Sequence, residues 1–221
     1  MHYSPINRFR GRRGRLLRQQ IETLADHLDR DIAVVDVGGR ADYWANVGVE
    51  RIARITLINA SSSELSRDDA GLPSPIFERR LGDARDLTDY GDKAVDLIHS
   101  NSVIEHVGGW RDMAAMASEM LRVGRAGWMQ TPAWEFPIEP HFRAPFLHWV
   151  AAPARARMLS LSTEKRLRQL DLHRRRQRVE GINLLSKREV EALFPDCDIF
   201  VERLVLAKSY SARWMPDNLP L

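Results

Sequence analysis

Cysteine is nearly absent from this chain of 221 residues, in which Cys197 stands alone. A single cysteine excludes an internal disulfide and any metal centre built on several thiolates, and it fits a reducing compartment. Long apolar runs are also missing, so neither a membrane-spanning helix nor an apolar signal region is expected. These absences predict a soluble, cytoplasmic protein without a metal site.

Acidic residues are missing from the N-terminal region until Glu22, and six arginines precede that residue. A second basic block lies between positions 165 and 178. Either block could contact nucleic acid or another phosphate-bearing partner. Because neither is interleaved with aromatic residues that stack on bases, solvated helix faces are favoured over a nucleic-acid contact. The two blocks consist of Arg8, Arg10, Arg12, Arg13, Arg15 and Arg18, and of Lys165, Arg166, Arg168, Arg174, Arg175, Arg176 and Arg178.

The remaining composition is ordinary for a folded domain, with 44% hydrophobic residues, 29% charged residues and a formal net charge of +3. The length favours one domain over residues 1–221. Within it, residues 1–30 form a basic arm and an N-terminal helix, and the proline-punctuated, aromatic stretch 133–179 is predicted to be an inserted lid that binds substrate. The sequence leaves the oligomeric state open.

Short apolar runs alternate with helical patterns along the chain, which predicts an α/β fold built on a parallel sheet. The last two strands lie close enough in sequence to form an antiparallel pair at the sheet edge. The predicted strands are Ile32–Val37, Arg54–Asn59, Ile76–Leu81, Ala94–Ser100, Gly127–Pro132, Ile199–Leu206 and Ser209–Trp214.

Polar and small residues follow the first four predicted strands. In an open parallel sheet, ligands bind beyond the carboxyl ends of the strands, so these residues are expected to surround one site. The glycine pair that follows the first strand predicts a tight turn whose backbone a nucleotide-like ligand can approach. The residues in question are Asp36, Gly38 and Gly39, then Asn59 and Ala60, then Asp83 and Ala84, and finally Ser100, Asn101 and Val103.

The order and spacing of these motifs resemble the class I, Rossmann-like, S-adenosylmethionine-dependent methyltransferases from about Ile32 to Trp214. The resemblance rests on Asp-Val-Gly-Gly at 36–39, Gly-Asp-Ala at 82–84 and Asp-Leu-Ile-His-Ser-Asn-Ser-Val-Ile-Glu-His at 96–106. It implies a three-layer sandwich with a mostly parallel seven-stranded sheet, an antiparallel C-terminal edge strand and a helical lid insertion.

The resemblance also implies a role for each matching residue toward S-adenosylmethionine, which would leave as S-adenosylhomocysteine. Asp36 and the Gly38–Gly39 backbone would face the amino-acid part of the cofactor, and Asn59 with Ala60 the ribose. The adenine edge would be met by Asp83 and Ala84, and the sulfonium side by Ser100, Asn101 and Val103.

Three residues depart from the family pattern. Arg40 and Asp42 stand where the glycine loop normally continues with glycine, and Asn59 replaces an acidic residue that normally binds both ribose hydroxyls. A dehydrogenase on the same sheet would need Gly-x-Gly-x-x-Gly, which positions 38–43 do not supply. The departures keep open an alternative in which the chain is a non-catalytic interaction protein on this scaffold.

Methyl transfer requires a positioned nucleophile and, where needed, a base that removes its proton. His141 and Glu139 lie in a proline-stiffened stretch over the expected pocket, and His141 is the favoured base or substrate contact. His106 follows the fourth strand and is either a second catalytic candidate or a brace for its loop. His148, beside Trp149, is expected to serve packing.

These patterns predict a methyltransferase that acts on a small-molecule or glycan-type acceptor, at oxygen. The basic blocks support an alternative, an RNA methyltransferase or RNA-binding protein. The aromatic residues of the insertion are predicted to form either a substrate wall or the core of the lid itself. They are Trp134, Phe136, Phe142, Phe146 and Trp149.

Overall fold

The computed structural model describes residues 8–65, 76–142, 144–162, 164–217 and 219–221. A seven-stranded sheet forms the centre of the fold, and a short two-stranded pair lies in the predicted lid. The strands are β1 (Ile32–Val37), β2 (Ile52–Asn59), β3 (Phe77–Leu81), β4 (Val95–Asn101), β5 (Gly124–Pro132), β6 (Ile138–Glu139), β7 (Ala144–Pro145), β8 (Asp198–Arg203) and β9 (Ala207–Trp214).

Helices cover the sheet and build most of the lid. They are α1 (Arg8–Leu28), α2 (Ala41–Val47), α3 (Ser62–Leu65), α4 (Trp110–Val123), α5 (Ala152–Met158), α6 (Lys165–Arg168), α7 (Leu172–Glu180) and α8 (Lys187–Leu193). A capping box begins α8, since Ser186 accepts from the N–H of Glu189 while the Glu189 carboxylate accepts from the N–H of Ser186.

The sheet has the strand order β3-β2-β1-β4-β5-β9-β8, and strand β9 alone runs against its neighbours. Strand β1 pairs in parallel with β2 on one side and with β4 on the other, so the strand order reverses between β1 and β4. Such a reversal opens a crevice at the carboxyl ends of the strands. The predicted fold class is confirmed, and within the antiparallel pair β8 is the outermost strand.

The fifth strand begins three residues earlier than predicted, at Gly124. The backbone of Gly124 is already extended and pairs with Val95 of β4. A side chain at this position would clash with Ile98, so the glycine permits close contact between β5 and β4. The helix therefore passes into the strand without a separate loop.

Two apolar clusters lie on the two faces of the sheet. Leu17, Ile21 and Leu24 of α1 pack on one face, and Met116 and Met120 of α4 lie in the cluster on the other. Both helices were predicted from this amphipathic spacing. No described helix has the length and apolar character needed to cross a bilayer.

The inserted segment has a third apolar cluster of its own. Its buried members are Phe142, Leu147, Leu159, Leu167, Val179 and Ile182. The segment leaves and rejoins the domain at one neck, where Ala133 and Leu185 form a β-bridge and the N–H of Trp134 donates to the carbonyl of Leu185 at 2.9 Å. This core extends slightly beyond the predicted boundary of 133–179.

Asp96 fastens β4 to the start of β1. Its carboxylate accepts two hydrogen bonds from the Arg30 guanidinium, at 2.7 and 2.8 Å, and one from the N–H of Ala33 at 2.9 Å. Burial of Asp96 opposes its ionisation, but the hydrogen bonds from Arg30 and Ala33 outweigh burial and hold the pKa below its ordinary value.

Replacing Asp96 with Asn should lower the free energy of unfolding at pH 7 by about 1–2 kcal/mol, because the charge-assisted bonds to Arg30 are weakened. Urea denaturation measures the loss, and Asp92→Asn is the control, since the Asp92 side chain is 80% exposed. A folded-state pKa below the unfolded one stabilises the protein above the unfolded pKa. The difference between wild type and variant should therefore shrink as the pH falls below about 4. A difference unchanged from pH 7 to pH 3 contradicts this assignment.

Candidate cofactor and acceptor site

The turn after β1 is shaped by Gly38, which adopts a left-handed backbone conformation with φ of 70°. Its N–H donates to the carbonyl of Ile58 at 2.7 Å. A Cβ on Gly38 would clash with the side chain of Val103, which follows β4. Both the backbone angle and the close contact therefore require glycine at this position.

Asp36 lies directly beneath that turn and is 1% exposed. One carboxylate oxygen accepts from the indole N–H of Trp44 at 2.7 Å, and the other lies 2.7 Å from Nδ1 of His99. A Cβ on Gly39 would clash with this carboxylate. Asp36 thus supports the turn from below, and its implied contact with the cofactor's amino-acid part stays a prediction.

Trp44 and His99 are functional-site residues that the sequence did not reveal. His99 stands opposite Asp36 in the register of β1 and β4, and Trp44 belongs to the buried face of α2. The available signal was a histidine within a predicted strand, but its partner depends on strand pairing. Their role is to satisfy a buried carboxylate.

Asn59 holds the same turn from the second strand. Its side-chain amide donates to the carbonyl of Gly39 at 3.0 Å. A carboxylate at this position has no proton to donate and would face a carbonyl oxygen instead. The departure from the family pattern therefore has a structural account, and the amide oxygen takes no part in this bond. Ala60, the next residue, is exposed.

The other two residues that depart from the family pattern, Arg40 and Asp42, lie outside the turn at Gly38. Arg40 stands at the N-terminal cap of α2, and its guanidinium forms an ion pair with Asp42 at 2.9 Å. Both side chains are exposed.

The Asp83 carboxylate is bound by its neighbour. It accepts from the side chain of Arg85 at 2.7–3.1 Å and from the Arg85 N–H at 2.9 Å, while Arg85 also reaches Asp112. The hydrogen bonds from Arg85 lower the pKa of Asp83. Ala84 packs against the core. The adenine contact predicted for both residues stays a prediction.

The loop after β4 combines one satisfied polar group with one unsatisfied group. Ser100 is buried and its hydroxyl donates to the carbonyl of Val37 at 3.0 Å, so it ties β4 to the end of β1. Asn101 has a buried side-chain oxygen that accepts no hydrogen bond from the described residues. Ser102 adopts a left-handed conformation with φ of 56° and donates its N–H to the carbonyl of Gln130.

The three predicted catalytic residues come together, although they derive from distant segments. Nε2 of His106 lies 3.0 Å from Nε2 of His141, and Nδ1 of His141 lies 2.7 Å from a Glu139 oxygen. The second Glu139 oxygen accepts from the N–H of Phe142, and the Nδ1 atom of His106 faces the carbonyl of Gly181 at 3.2 Å. Both imidazole rings are thereby oriented through their Nδ1 atoms.

Glu105 completes this group and was not predicted as a site residue. It is fully buried, and one oxygen accepts from the hydroxyl of Thr131 at 3.0 Å. The other oxygen has no hydrogen-bond partner among the described residues and lies 3.9 Å from Nε2 of His141. Ligand atoms of Glu105, His106 and His141 all lie within 4.8 Å of one another, which could hold a metal ion. No metal site was predicted, because only the fold brings these residues together.

The electrostatic environment differs for each member. Burial alone would lower the pKa of His141, but the Glu139 and Glu105 carboxylates raise it above its ordinary value. Burial lowers the pKa of His106. Burial also raises the pKa of Glu105 to about 7.

Two cavities border this group and offer space for an acceptor. The larger measures about 610 Å³ and is lined by His106, His141, Arg174 and Arg178, among others. A smaller cavity of about 270 Å³ lies on the Glu139 side. Its lining includes Trp134, Glu139, Phe142, His148 and Arg155.

The aromatic residues of the insertion differ in burial, and a substrate wall stays a prediction. Phe142 belongs to the lid's own core, whereas Trp134, Phe146 and Trp149 are exposed and contact one another. His148 is buried and its Nε2 lies 2.8 Å from the carbonyl of Trp134, consistent with the packing role predicted for it.

A family model described as a methyltransferase domain matches residues 9–195. No curated protein sequence matches this chain. Among solved structures, one named for Zn-dependent alcohol dehydrogenases from Rhodobacter sphaeroides has 12% sequence identity and a TM-score of 0.56 over 85% of both chains.

Two further structures carry methyltransferase names. An O-methyltransferase family protein from Burkholderia thailandensis has 13% identity and a TM-score of 0.51. The match includes 95% of this chain and 59% of that one. An O-methyltransferase from Nostoc punctiforme has 13% identity and a TM-score of 0.53, with 92% of this chain covering 56% of that one. At such identities the structures establish the fold alone. Because the family model spans most of its length, the chain belongs to the methyltransferase domain family, as a class I member with the Rossmann-like fold.

Proposed function

We propose that this protein is an S-adenosylmethionine-dependent methyltransferase that methylates a hydroxyl oxygen of a small-molecule or glycan-type acceptor. The observation that carries the proposal is the meeting of His106 with the Glu139–His141 pair at the carboxyl edge of the sheet. His106 lies only three residues beyond Val103, which packs against the Gly38 turn. In the proposal, the cofactor turn and the catalytic candidates face one crevice.

The residues at this crevice fit the cofactor. The buried Asn101 oxygen lacks a partner among the described residues, so it can accept a hydrogen bond from a ligand. The Asn59 amide oxygen can accept from a ribose hydroxyl while the amide N–H keeps the turn in place. Once bound, the cofactor supplies an electrophilic methyl group on a sulfonium.

Each residue that would hold the cofactor has a defined part. Gly38 and Gly39 would meet the amino-acid end, Asn59 and Ala60 the ribose, Asp83 and Ala84 the adenine, and Ser100, Asn101 and Val103 the sulfonium side. In the proposal Asp36 acts indirectly, because Trp44 and His99 occupy both of its oxygens.

The acceptor would enter the larger cavity, where Nε2 of His141 can reach a hydroxyl group. The Glu139 carboxylate fixes the ring of His141 from the opposite side, so this nitrogen is positioned before an acceptor arrives. His141 would serve that hydroxyl as base or as contact. Arg174 and Arg178 line the same cavity, which favours an acceptor that carries an acidic group.

The RNA-directed alternative receives less support from the contacts of the basic blocks. Arg13 pairs with Glu202 at 3.2 Å, and Arg18 pairs with Glu22 and Glu50. These arginines stabilise the domain and are correspondingly less available to phosphates. Nucleic acid therefore stays an unfavoured partner, and steep salt dependence of RNA binding would be its signature.

Calorimetry with S-adenosylmethionine and S-adenosylhomocysteine tests the proposal directly. Heat of binding and an upward thermal shift are expected with both compounds. If neither compound produces heat or a shift, the enzyme proposal is wrong, and the chain is the non-catalytic interaction protein that Arg40, Asp42 and Asn59 suggested.

Replacing His141 with Ala should leave cofactor affinity within about twofold and lower turnover by ~100-fold or more, because the acceptor oxygen loses its positioned partner. Turnover is measured as S-adenosylhomocysteine release over a panel of sugars and phenols. His173→Ala is the matched control, since His173 is an exposed lid residue. Equal turnover in both variants would remove His141 from the catalytic group.

Replacing Asp83 with Ala should weaken S-adenosylhomocysteine binding by ~10-fold, because the adenine edge loses a charged acceptor. Calorimetry provides the measurement, and Asp89→Ala, at an exposed site six residues further on, provides the control. Unchanged affinity in the Asp83 variant means that adenine binds elsewhere.

A further inference from the structure

Three ligand-type atoms converge where the lid meets the end of β4. The Nε2 atoms of His106 and His141 lie 3.0 Å apart, and an oxygen of Glu105 lies 3.9 Å from Nε2 of His141. Zinc ligands at about 2.0–2.2 Å from a tetrahedral ion are about 3.3–3.6 Å from one another. The ligand atoms of this cluster all lie within 4.8 Å of one another, which is close to that spacing.

The buried carboxylate of Glu105 supplies an independent reason to expect a cation. Its Oε1 atom has no hydrogen-bond partner among the described residues, although the side chain is 0% exposed. A buried, unpaired carboxylate oxygen is costly, and native structures normally give it a partner. Nε2 of His141, which belongs to the same cluster, lies 3.9 Å from this oxygen. A cation between these atoms would satisfy the oxygen.

The imidazole rings are oriented as metal ligands commonly are. Nδ1 of His141 faces the Glu139 carboxylate, and Nδ1 of His106 faces the carbonyl of Gly181. In metal sites, a ligating histidine typically donates its other N–H to such a group. With both Nδ1 atoms protonated, the two Nε2 atoms are unprotonated acceptors 3.0 Å apart, on rings that lie nearly perpendicular. A shared proton or a metal ion would bridge them.

We propose that Glu105, His106 and His141 form a binding site for a divalent transition-metal ion of the zinc class. Two imidazoles with one carboxylate suit Zn²⁺ and Co²⁺ better than Mg²⁺ or Ca²⁺, which prefer oxygen ligands. The charge balance permits it, since the carboxylates of Glu105 and Glu139 face the cluster and Arg178 is the nearby cation.

The ion would also connect the lid to the sheet, because His141 belongs to the inserted segment and Glu105 and His106 follow β4. Three protein ligands leave a coordination position for water or an acceptor oxygen, and the cavity lined by His106 and His141 lies on that side. This catalytic role, unlike the binding itself, rests on the proposed function. There the ion would lower the pKa of a bound acceptor hydroxyl, and His141 would act as a ligand rather than as a base.

Titration of the EDTA-treated full chain with Co²⁺ tests the site, followed by visible absorption and calorimetry. One ion per chain is expected, with d–d bands of a tetrahedral or five-coordinate centre. His141→Ala and Glu105→Gln should weaken binding by ~100-fold, and Glu139→Gln, which alters only the orienting group, by ~10-fold. His173→Ala controls for adventitious binding to exposed histidines.

Equal Co²⁺ affinity in wild type, His141→Ala and Glu105→Gln would overturn the site, as would the absence of d–d bands in the wild type. Glu105→Gln is nearly isosteric, so it keeps the test valid if an alanine variant fails to fold. The titration contains neither cofactor nor acceptor. Co²⁺ binding without S-adenosylhomocysteine binding therefore refutes the proposed function alone, and the reverse result refutes the metal site alone.

Discussion

The centre of this molecule depends on the buried carboxylate of Asp36, which needs hydrogen bonds from two different elements. Asp36 takes one hydrogen bond from α2, through Trp44, and one from β4, through His99. Leaving either oxygen unpaired at 1% exposure would be costly, so the helix, the strand register and the glycine turn are constrained together. The position of Gly39 above the same carboxylate follows from this constraint. Every inferred cofactor contact is placed relative to that turn.

The proposed cofactor site and the proposed acceptor site have different supports. The first is built from strand ends in a continuous hydrogen-bonded sheet. The second depends on the inserted segment, which has its own small core. Asn183 joins them, since its N–H donates to the carbonyl of Glu105 and its side-chain amide to that of Gly108. The His106–His141 contact is a second link between the same two parts.

Local sequence signals predicted most of the elements. The apolar run Ile32–Val37 and the amphipathic spacing of α1 and α4 specify elements whose patterns do not depend on distant residues. The sequence predicted only that His106, Glu139 and His141 lie at the same edge of the sheet, because the ends of parallel strands converge there. The distances between these side chains depend on how the lid folds, so they could not be predicted from the sequence.

The residues that the sequence did not reveal are those whose role arises from burial. Glu105 reads as an ordinary acidic residue before a histidine, and its unpaired oxygen exists only because Thr131 and the lid enclose it. His99 acquires its role from strand register. Asp83 was expected to face a ligand, and the fold adds a competitor in Arg85 that is only two residues away. In each case, a contact made in the folded chain determines what the side chain can bind.

The neck at Ala133 and Leu185 has a consequence for how this protein could be re-engineered. Both ends of the inserted segment are held side by side by backbone pairing, and the apolar side chains within it pack largely on one another. A segment anchored in this way can be exchanged for one of different length without displacing β5 or α8. Chimeras cut at this neck would carry a foreign segment on an unchanged sheet, and His106 would lose its contact with His141 of the exchanged segment.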